Sequence, residues 1–286
     1  MDFHLSLSSI IIIQLFLSFF LTILPPSYCQ EDDPAFVACN RTYTCGGISI
    51  PLPFWEGTRP GVCGHQVYNL RCGNEYPVIE IEGKEFGVLN INTSSRTFTI
   101  VRSDISWDGP CPPPPESINT TLDYTLFDYA STVQNITIFY GCHDPQGNIP
   151  GPNRFNCSEG VGADGKNNSY YLVDQSPLSV QFHERLQSNC DNNITVPILQ
   201  SSAIALLHDP QGGARAVRQA MDKGFEVEYY SNPLPIDCSA CEATAGVCGF
   251  NSTEQFVCYC GDQVQSSNRC PIETKGFLPG IVLALN

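Results

Sequence analysis

The sequence is poor in basic residues and in histidine. It has 14 Lys and Arg against 29 Asp and Glu, which gives a formal net charge of −15. A nucleic-acid-binding surface needs a surplus of Lys and Arg to neutralise phosphates, so a nucleic-acid partner is not expected. Only five histidines are present, and none stands in an H-E-x-x-H or other zinc-binding spacing. We therefore also expect no metal site.

The motifs of several enzyme classes are missing. There is no G-x-S-x-G nucleophile elbow, and none of the V-A-I-K, H-R-D and D-F-G motifs of protein kinases occurs. A kinase catalytic domain is therefore absent from this chain. Glu80 and Glu82 would share one face of a strand, which leaves a glycosidase-like carboxylate pair open, although such pairs are more often a solvated face. We expect no catalytic residue and no cofactor.

Cysteine, by contrast, is abundant, with 15 residues, and this indicates an oxidising compartment. Residues 5–24 are almost wholly apolar, and Pro25 and Pro26 follow them. Small residues at Ser27 and Cys29 fit signal-peptide cleavage, which predicts that residues 1–29 are removed. The alternative is a retained anchor, because about 20 apolar residues can span a bilayer.

Removal of Cys29 leaves 14 cysteines, an even number that favours complete pairing. We predict seven disulfides and no free thiol, with the last six cysteines paired among themselves. The predicted disulfide cysteines are Cys39, Cys45, Cys63, Cys72, Cys111, Cys142, Cys157, Cys190, Cys238, Cys241, Cys248, Cys258, Cys260 and Cys270.

Asn-x-Ser/Thr sequons support a secreted glycoprotein. One tripeptide is weak evidence, but eight in a chain that begins with a signal peptide are much stronger. The predicted glycosylation sites are Asn40, Asn92, Asn119, Asn135, Asn156, Asn167, Asn193 and Asn251.

The residue pattern predicts a mainly β, disulfide-rich fold of two small β modules with one short helix. Alternating or apolar runs predict strands at 78–81, 86–91, 96–100, 135–140, 170–173 and 225–230, and apolar spacing predicts a helix over 214–223. Four prolines at 112–115 cannot lie inside a sheet, so we place a module boundary between residues 108 and 109.

The six C-terminal cysteines include a C-x-x-C pair at Cys238 and Cys241. In a cytosolic chain such a pair would indicate redox chemistry or half a zinc site, but in a secreted chain structural disulfides are favoured. The steps around Cys258, Cys260 and Cys270 are EGF-like in cysteine spacing.

Two groups of motifs resemble one plant architecture. CNRTYTCGG at 39–47, IPLPFW at 50–55, CG at 63–64 and LRC at 70–72 resemble the galacturonan-binding module of wall-associated receptor kinases and their leaf-rust-resistance-type relatives. GFEVEY, CSACEA, GVCG and FVCYC, which lie between residues 224 and 260, resemble the wall-associated kinase C-terminal module. The departures are Leu52, where the family often has Tyr, and Thr244-Ala245-Gly246 in place of Ser-Gly-Gly.

The resemblance implies four segments. These are a signal peptide at 1–29, a galacturonan-binding-like module at 30–108, a C-terminal-like module at 109–272 and an apolar juxtamembrane tail at 273–286. The tail contains an apolar run of eleven residues from Gly276 to Asn286 that would reach about 16 Å, roughly half a bilayer core. We interpret it as the start of a truncated span. The location would be the cell wall, or a single-pass plasma-membrane position if the gene product continues.

The resemblance also implies pectin or oligogalacturonide as the ligand. Residues 39–105 carry six basic and six acidic side chains, whereas residues 106–275 carry eight and nineteen, so the first module is the better host for a polyanion. The expected ligand-binding residues are Arg41, Tyr43, Trp55, Arg59 and Arg71, because arginine forks match carboxylates and aromatic rings can stack on sugars. Core burial of Phe54 and Trp55 is an equal alternative.

Two other functions remain open at this stage. One is a secreted decoy or peptide-binding receptor-like protein whose partner is another receptor ectodomain. The other is a secreted carbohydrate-active enzyme, which would use some of the acidic residues.

Overall fold

The computed structural model describes residue 14 and residues 32–73, 75–106, 110–111, 119–143, 153–157, 168–230, 238–261, 265–266 and 268–271. Apart from residue 14, the predicted signal peptide lies outside the described residues, as do the proline run at 112–115, Asn167 and the predicted tail at 273–286. Among the helices that are described, none is long and apolar enough to cross a membrane.

The elements follow one another in three groups. The first comprises α1 (Pro34–Cys39), β1 (Thr44–Cys45), β2 (Ile48–Ser49), β3 (Trp55–Glu56), β4 (Asn69–Cys72), β5 (Pro77–Ile81), β6 (Lys84–Asn92), β7 (Thr97–Arg102) and α2 (Ser103–Ser106). The second comprises β8 (Phe127–Tyr129), β9 (Val133–Cys142), β10 (Arg154–Asn156), β11 (Asn168–Val173), α3 (Pro177–Asn189), β12 (Cys190–Leu199), α4 (Gln200–His208), α5 (Gly213–Asp222) and β13 (Phe225–Tyr229). The third comprises α6 (Ser239–Glu242), β14 (Val247–Phe250), β15 (Phe256–Tyr259) and β16 (Gln265–Ser266).

The predicted mainly β, disulfide-rich class is confirmed, with 39% strand against 26% helix among the described residues. Strands β5, β6 and β7 correspond to the predicted strands at 78–81, 86–91 and 96–100, and they form an antiparallel meander. Their first turn is made by Glu82 and Gly83, whose φ angles are 50° and 71°. Alternation along β5 buries Ile79 and Ile81 and leaves Glu80 exposed, as a half-buried strand requires.

A seven-stranded sheet joins the two halves of the chain, in the order β3-β4-β5-β6-β7-β13-β8. Strand β13 lies between β7 and β8 and pairs antiparallel with both. The core beneath the sheet is aromatic: the Phe54 ring centroid lies 5.3 Å from that of Phe98 and 5.2 Å from that of Tyr229, with edge-to-face packing. The two predicted modules therefore share one sheet, and the boundary at 108/109 stays a prediction about sequence modules.

The second sheet has four strands in the order β10-β11-β9-β12 and is covered by helices on both faces. Ile136 and Ile138 of β9 pack in one cluster with residues of α4 and α5. Phe139, which points to the other face, packs with Leu186 of α3. Helix α5 confirms the one helix that the sequence predicts, whereas α1, α2, α3, α4 and α6 are additional.

All 14 cysteines predicted to be bridged are paired. The pairs are Cys39–Cys63, Cys45–Cys72, Cys111–Cys157, Cys142–Cys190, Cys238–Cys248, Cys241–Cys258 and Cys260–Cys270. The last six pair among themselves, as predicted, in the order first with third, second with fourth and fifth with sixth.

The cysteine-rich C-terminal segment packs against the start of the fold. A Cβ on Gly249 of β14 would lie only 2.5 Å from the Val62 carbonyl oxygen, so the two backbones are in close contact there. The ring centroids of His65 and Phe250 are 5.2 Å apart, and His65 Nε2 lies 3.6 Å from Glu254 Oε2. A displacement of the C-terminal segment would therefore remove contacts made by residues 62–65.

We expect Gly246→Ala to destabilise this segment, because the new Cβ would lie 2.4 Å from Cys258 Sγ and 2.7 Å from Cys241 Sγ. Overpacking of this kind costs roughly 1–3 kcal/mol in the free energy of unfolding. Urea unfolding of the oxidised protein measures it, and Gly61→Ala, where a Cβ meets nothing within 4 Å, is the matched control. Equal midpoints for the two variants would contradict the prediction.

We expect His65 to make stability fall between pH 7.5 and 5.5. Burial lowers the pKa of His65, and Glu254 offsets part of that effect. Because the pKa is depressed in the folded state, the unfolded chain takes up the proton first, and stability is lost as pH falls through the unfolded pKa of about 6.5. Urea midpoints of His65→Gln should decline less over this window than those of the wild type. Glu254→Gln should decline more, and parallel curves for all three proteins would refute the assignment.

Candidate functional site

Arg59 holds together the loop that precedes and contains β3. The residue is 6% exposed, and its Nη1 donates hydrogen bonds to the carbonyl oxygens of Ile50 at 3.1 Å and Phe54 at 3.2 Å. Burial lowers the pKa of its guanidinium. The guanidinium is thus engaged with loop carbonyls, and the geometry assigns Arg59 a positioning role within the expected ligand-binding set.

Two aromatic residues contact Arg59, one through its guanidinium and one through its backbone carbonyl. The Arg59 guanidinium carbon lies 4.8 Å from the Tyr43 ring centroid, a cation–π distance. Trp55 Nε1 donates a hydrogen bond of 2.9 Å to the Arg59 carbonyl oxygen. Both rings are half-buried, whereas the neighbouring Phe54 is fully buried in the core. Tyr43 and Trp55 are therefore fixed in place with part of each side chain open to solvent, as a stacking ligand would need.

Arg41 lies beside the Tyr43 ring. Its backbone N–H donates to the Ala38 carbonyl oxygen at 3.3 Å, and the Tyr43 hydroxyl donates to the same oxygen at 3.2 Å. The Arg41 side chain is exposed. A guanidinium at this position is free to rotate toward a carboxylate that contacts the Tyr43 ring.

Arg71 is placed on the neighbouring strand. In the parallel β3–β4 pair Trp55 is opposite Asn69, and Arg71 stands two residues further along β4, with the buried Leu70 pointing to the other face. Arg71 Nη2 lies 2.6 Å from Glu85 Oε1, and this ion pair is exposed.

The five predicted positions therefore gather around the β3 end of the seven-stranded sheet. Four of them are linked through shared contacts of the 38–59 loop, and Arg71 follows through strand pairing. The arrangement offers exposed guanidinium groups that can donate two parallel hydrogen bonds to a carboxylate, together with partly exposed rings. It is suited to binding an acidic sugar polymer.

The geometry of Glu80 and Glu82 does not support the glycosidase-like carboxylate pair that the sequence left open. Glu80 is exposed in β5, but Glu82 lies beyond the end of that strand in the turn, with a φ of 50°. The two groups of described residues close enough to hold a metal ion are Cys258 with Cys260 and Cys270, and Cys238 with Glu242 and Cys248. Their cysteines are all disulfide-bonded, so these groups present no thiolate ligands.

The sequons fall in two classes of exposure, and glycosylation stays a prediction at each. Asn40, Asn92, Asn119 and Asn156 are exposed, while Asn135, Asn193 and Asn251 are half-buried.

Comparison with known proteins identifies two domains. Residues 39–102 match the family model described as wall-associated receptor kinase galacturonan-binding. Residues 156–263 match the model described as wall-associated receptor kinase C-terminal. No kinase domain is matched in this chain. No solved structure matches it.

Several curated proteins of Arabidopsis thaliana are similar along most of this chain. Leaf rust 10 disease-resistance locus receptor-like protein kinase-like 2.1 is 30% identical over 83% of the chain and 36% of its own length. The like 2.8 protein is 29% identical over 80% of the chain and 23% of its own length, and the like 2.5 protein is 28% identical over 86% and 37%. The chain thus spans about a quarter to a third of these relatives.

We expect Arg59→Ala to cost roughly 2–3 kcal/mol in the free energy of unfolding, because it leaves two loop carbonyls without their charged donor. Arg41→Ala, which changes the same charge at an exposed position, should stay within about 0.5 kcal/mol of the wild type. Urea unfolding monitored by circular dichroism checks both. An Arg59→Ala protein as stable as Arg41→Ala would show that the guanidinium does not hold the loop.

Proposed function

We propose, from the finding that the chain belongs to the wall-associated receptor kinase ectodomain family, that it is an extracellular module that binds de-esterified pectin. The observation that carries the proposal is the cluster of Arg41, Tyr43, Trp55 and Arg59 within the matched galacturonan-binding domain. The signal peptide, the glycans and the cell-wall location belong to the same proposal. In this proposal the chain binds the polysaccharide and does not cleave it.

The cluster fits an acidic sugar polymer in two respects. Galacturonate presents one carboxylate on each ring, and exposed guanidinium groups at Arg41 and Arg71 can form charge-assisted hydrogen bonds with carboxylates. The Arg71 pair with Glu85 is exposed, and such pairs contribute only about 0–1 kcal/mol, so a ligand carboxylate can replace Glu85 at little cost. The partly exposed rings of Tyr43 and Trp55 add apolar contact for sugar faces.

The charge distribution favours contact with the first part of the chain. Residues 106–275 carry eleven more acidic than basic side chains, so a polyanion is repelled there. Arginine contacts made at the loop are screened by salt, whose Debye length is about 10 Å at 0.1 M. Salt also weakens the repulsion from the rest of the chain, so the informative quantity is the difference in salt dependence between the wild type and an arginine variant.

We expect Arg41→Ala to weaken binding of de-esterified oligogalacturonide roughly threefold to fivefold, and to make the affinity less sensitive to salt. Trp55→Ala should weaken binding by about threefold to tenfold at all salt concentrations, since stacking is not Coulombic. Titration calorimetry of the whole secreted chain, with circular dichroism as the folding check, measures both effects.

Arg218→Ala is the matched control, because it removes one exposed positive charge from helix α5 of the second module. Methyl-esterified oligogalacturonide should bind less well than the acid form, and each titration is repeated with a chelator to remove calcium bridging. Binding that ignores esterification, or that falls equally in Arg41→Ala and Arg218→Ala, would overturn the proposal and favour a peptide or receptor partner.

A further inference from the structure

A groove lies between helices α4 and α5, within the second matched domain. Its volume is about 140 Å³, and it is open to solvent on one side. Both helices line it with residues three, four and seven apart, which is the stripe that neighbouring turns of a helix present. The elements that build it are different from those of the loop around Arg59, so whatever it binds does not depend on the pectin site.

The space in the groove comes from small side chains. Ala205 contributes one methyl from α4, and Ala216 and Ala220 contribute two from α5. Larger residues at these positions would bring their side chains into the space between the helices and close it. With Leu206 these alanines give the groove a mainly apolar lining, to which Gln219 adds a polar side chain, and the apolar part suits a narrow alkyl chain.

A buried hydroxyl stands in this lining without a partner. Ser202 is 1% exposed, and no hydrogen-bond partner for its Oγ exists among the described residues. Leaving a buried polar group unsatisfied is unfavourable. A ligand that presents a hydrogen-bonding group beside Ser202 would remove this deficit.

Opposite charges lie at the two ends of the groove. Asp209 adjoins the short connection between the helices, and Lys223 follows the last residue of α5, at the end remote from that connection. Seven residues separate Ser202 from Asp209 and Ala216 from Lys223, which corresponds to about 10 Å of helix. Within the described part of the chain, no salt bridge involves either Asp209 or Lys223.

Helix dipoles account for part of this pattern. An acidic residue before α5 and a basic residue at its end are each favourable for that helix. The dipole, however, explains neither the unpartnered Ser202 hydroxyl nor the three alanines that keep the groove open. The combination of space, hydroxyl and paired charges points to a ligand.

We propose that this groove binds a short linear zwitterion of the ω-amino-acid class, with its ammonium at Asp209, its carboxylate at Lys223 and Ser202, and its methylenes along the alanines. The volume sets the size. A cavity of about 150 Å³ in another protein holds benzene, which has six heavy atoms, so a molecule of about six to eight heavy atoms fits here. A linear molecule of this size would also contact both charges if the Lys223 side chain folds over the groove.

Saturation-transfer NMR and thermal shift of the whole secreted chain test the proposal with a series of defined probes. γ-Aminobutyrate and 5-aminopentanoate should bind. Glycine, which is too short to reach both charges, and butylamine and butyrate, which each carry one charge, should bind at least about fivefold more weakly. Butylamine or butyrate binding as well as the ω-amino acids would overturn the two-ended recognition, and absence of binding by every probe would overturn the site.

Variants locate the binding and separate it from folding. Ala216→Leu should abolish it by filling the groove. Ser202→Ala should weaken it about threefold to fivefold without lowering the melting temperature, because it deletes a hydroxyl that has no partner in the free protein. Arg218→Gln, on the same helix but not in the groove, should bind as the wild type does. Binding that survives Ala216→Leu in a folded protein, or that is unchanged in Ser202→Ala, would place the ligand elsewhere.

Discussion

The insertion of β13 between β7 and β8 is the constraint on which the rest of the structure depends. Phe225, Val227 and Tyr229 of this strand are buried in the same core as Phe98 and Ile100 of β7. Without β13, β7 would present an unpaired edge and its apolar face would lose its cover. More than a hundred residues separate the two strands along the chain, so the first sheet is complete only when the second half has folded.

This pairing is linked to the loop around Arg59 through the aromatic core. Phe54, the residue before Trp55, packs edge-to-face on Tyr229 of β13. The Tyr68 hydroxyl donates a hydrogen bond to the Tyr230 carbonyl oxygen, just beyond the same strand. The positions of Trp55 and of the Arg59 carbonyl that accepts its hydrogen bond therefore depend on residues of the second module. A fragment that ends near residue 108 would carry the binding motifs but would lack two strands of their sheet.

The sequence predicted the strands best where one face of the strand is buried and turn residues separate the strands, as in β5 to β7. It predicted helix α5 because that helix also buries only one face. It missed α4 because a nine-residue segment that includes Ala203, Ile204 and Leu206 is too short and too apolar to distinguish helix from strand by period. It missed α3 because Val180, at 83% exposure, interrupts the apolar stripe. The resemblance supplied the site residues, but no local pattern showed that Arg59 would be buried, since that depends on carbonyls at residues 50 and 54.

The same physical argument explains why a chain with a net charge of −15 can present a site for a polyanion. The buried guanidinium of Arg59 does not act through its long-range field here, because it contacts the Tyr43 ring and two loop carbonyls at short range, while the backbone carbonyl of Arg59 holds the Trp55 indole. In the proposed complex, the exposed Arg41 and Arg71 would supply the contacts that distinguish the acid from the ester. Surface charges more than a Debye length apart are largely screened. The acidic residues of the second half would therefore affect the affinity for a polymer less than the local arginine contacts would. The proposal therefore places specificity in the loop around Arg59, while the distant carboxylates would limit how much of the protein surface the polymer can cover.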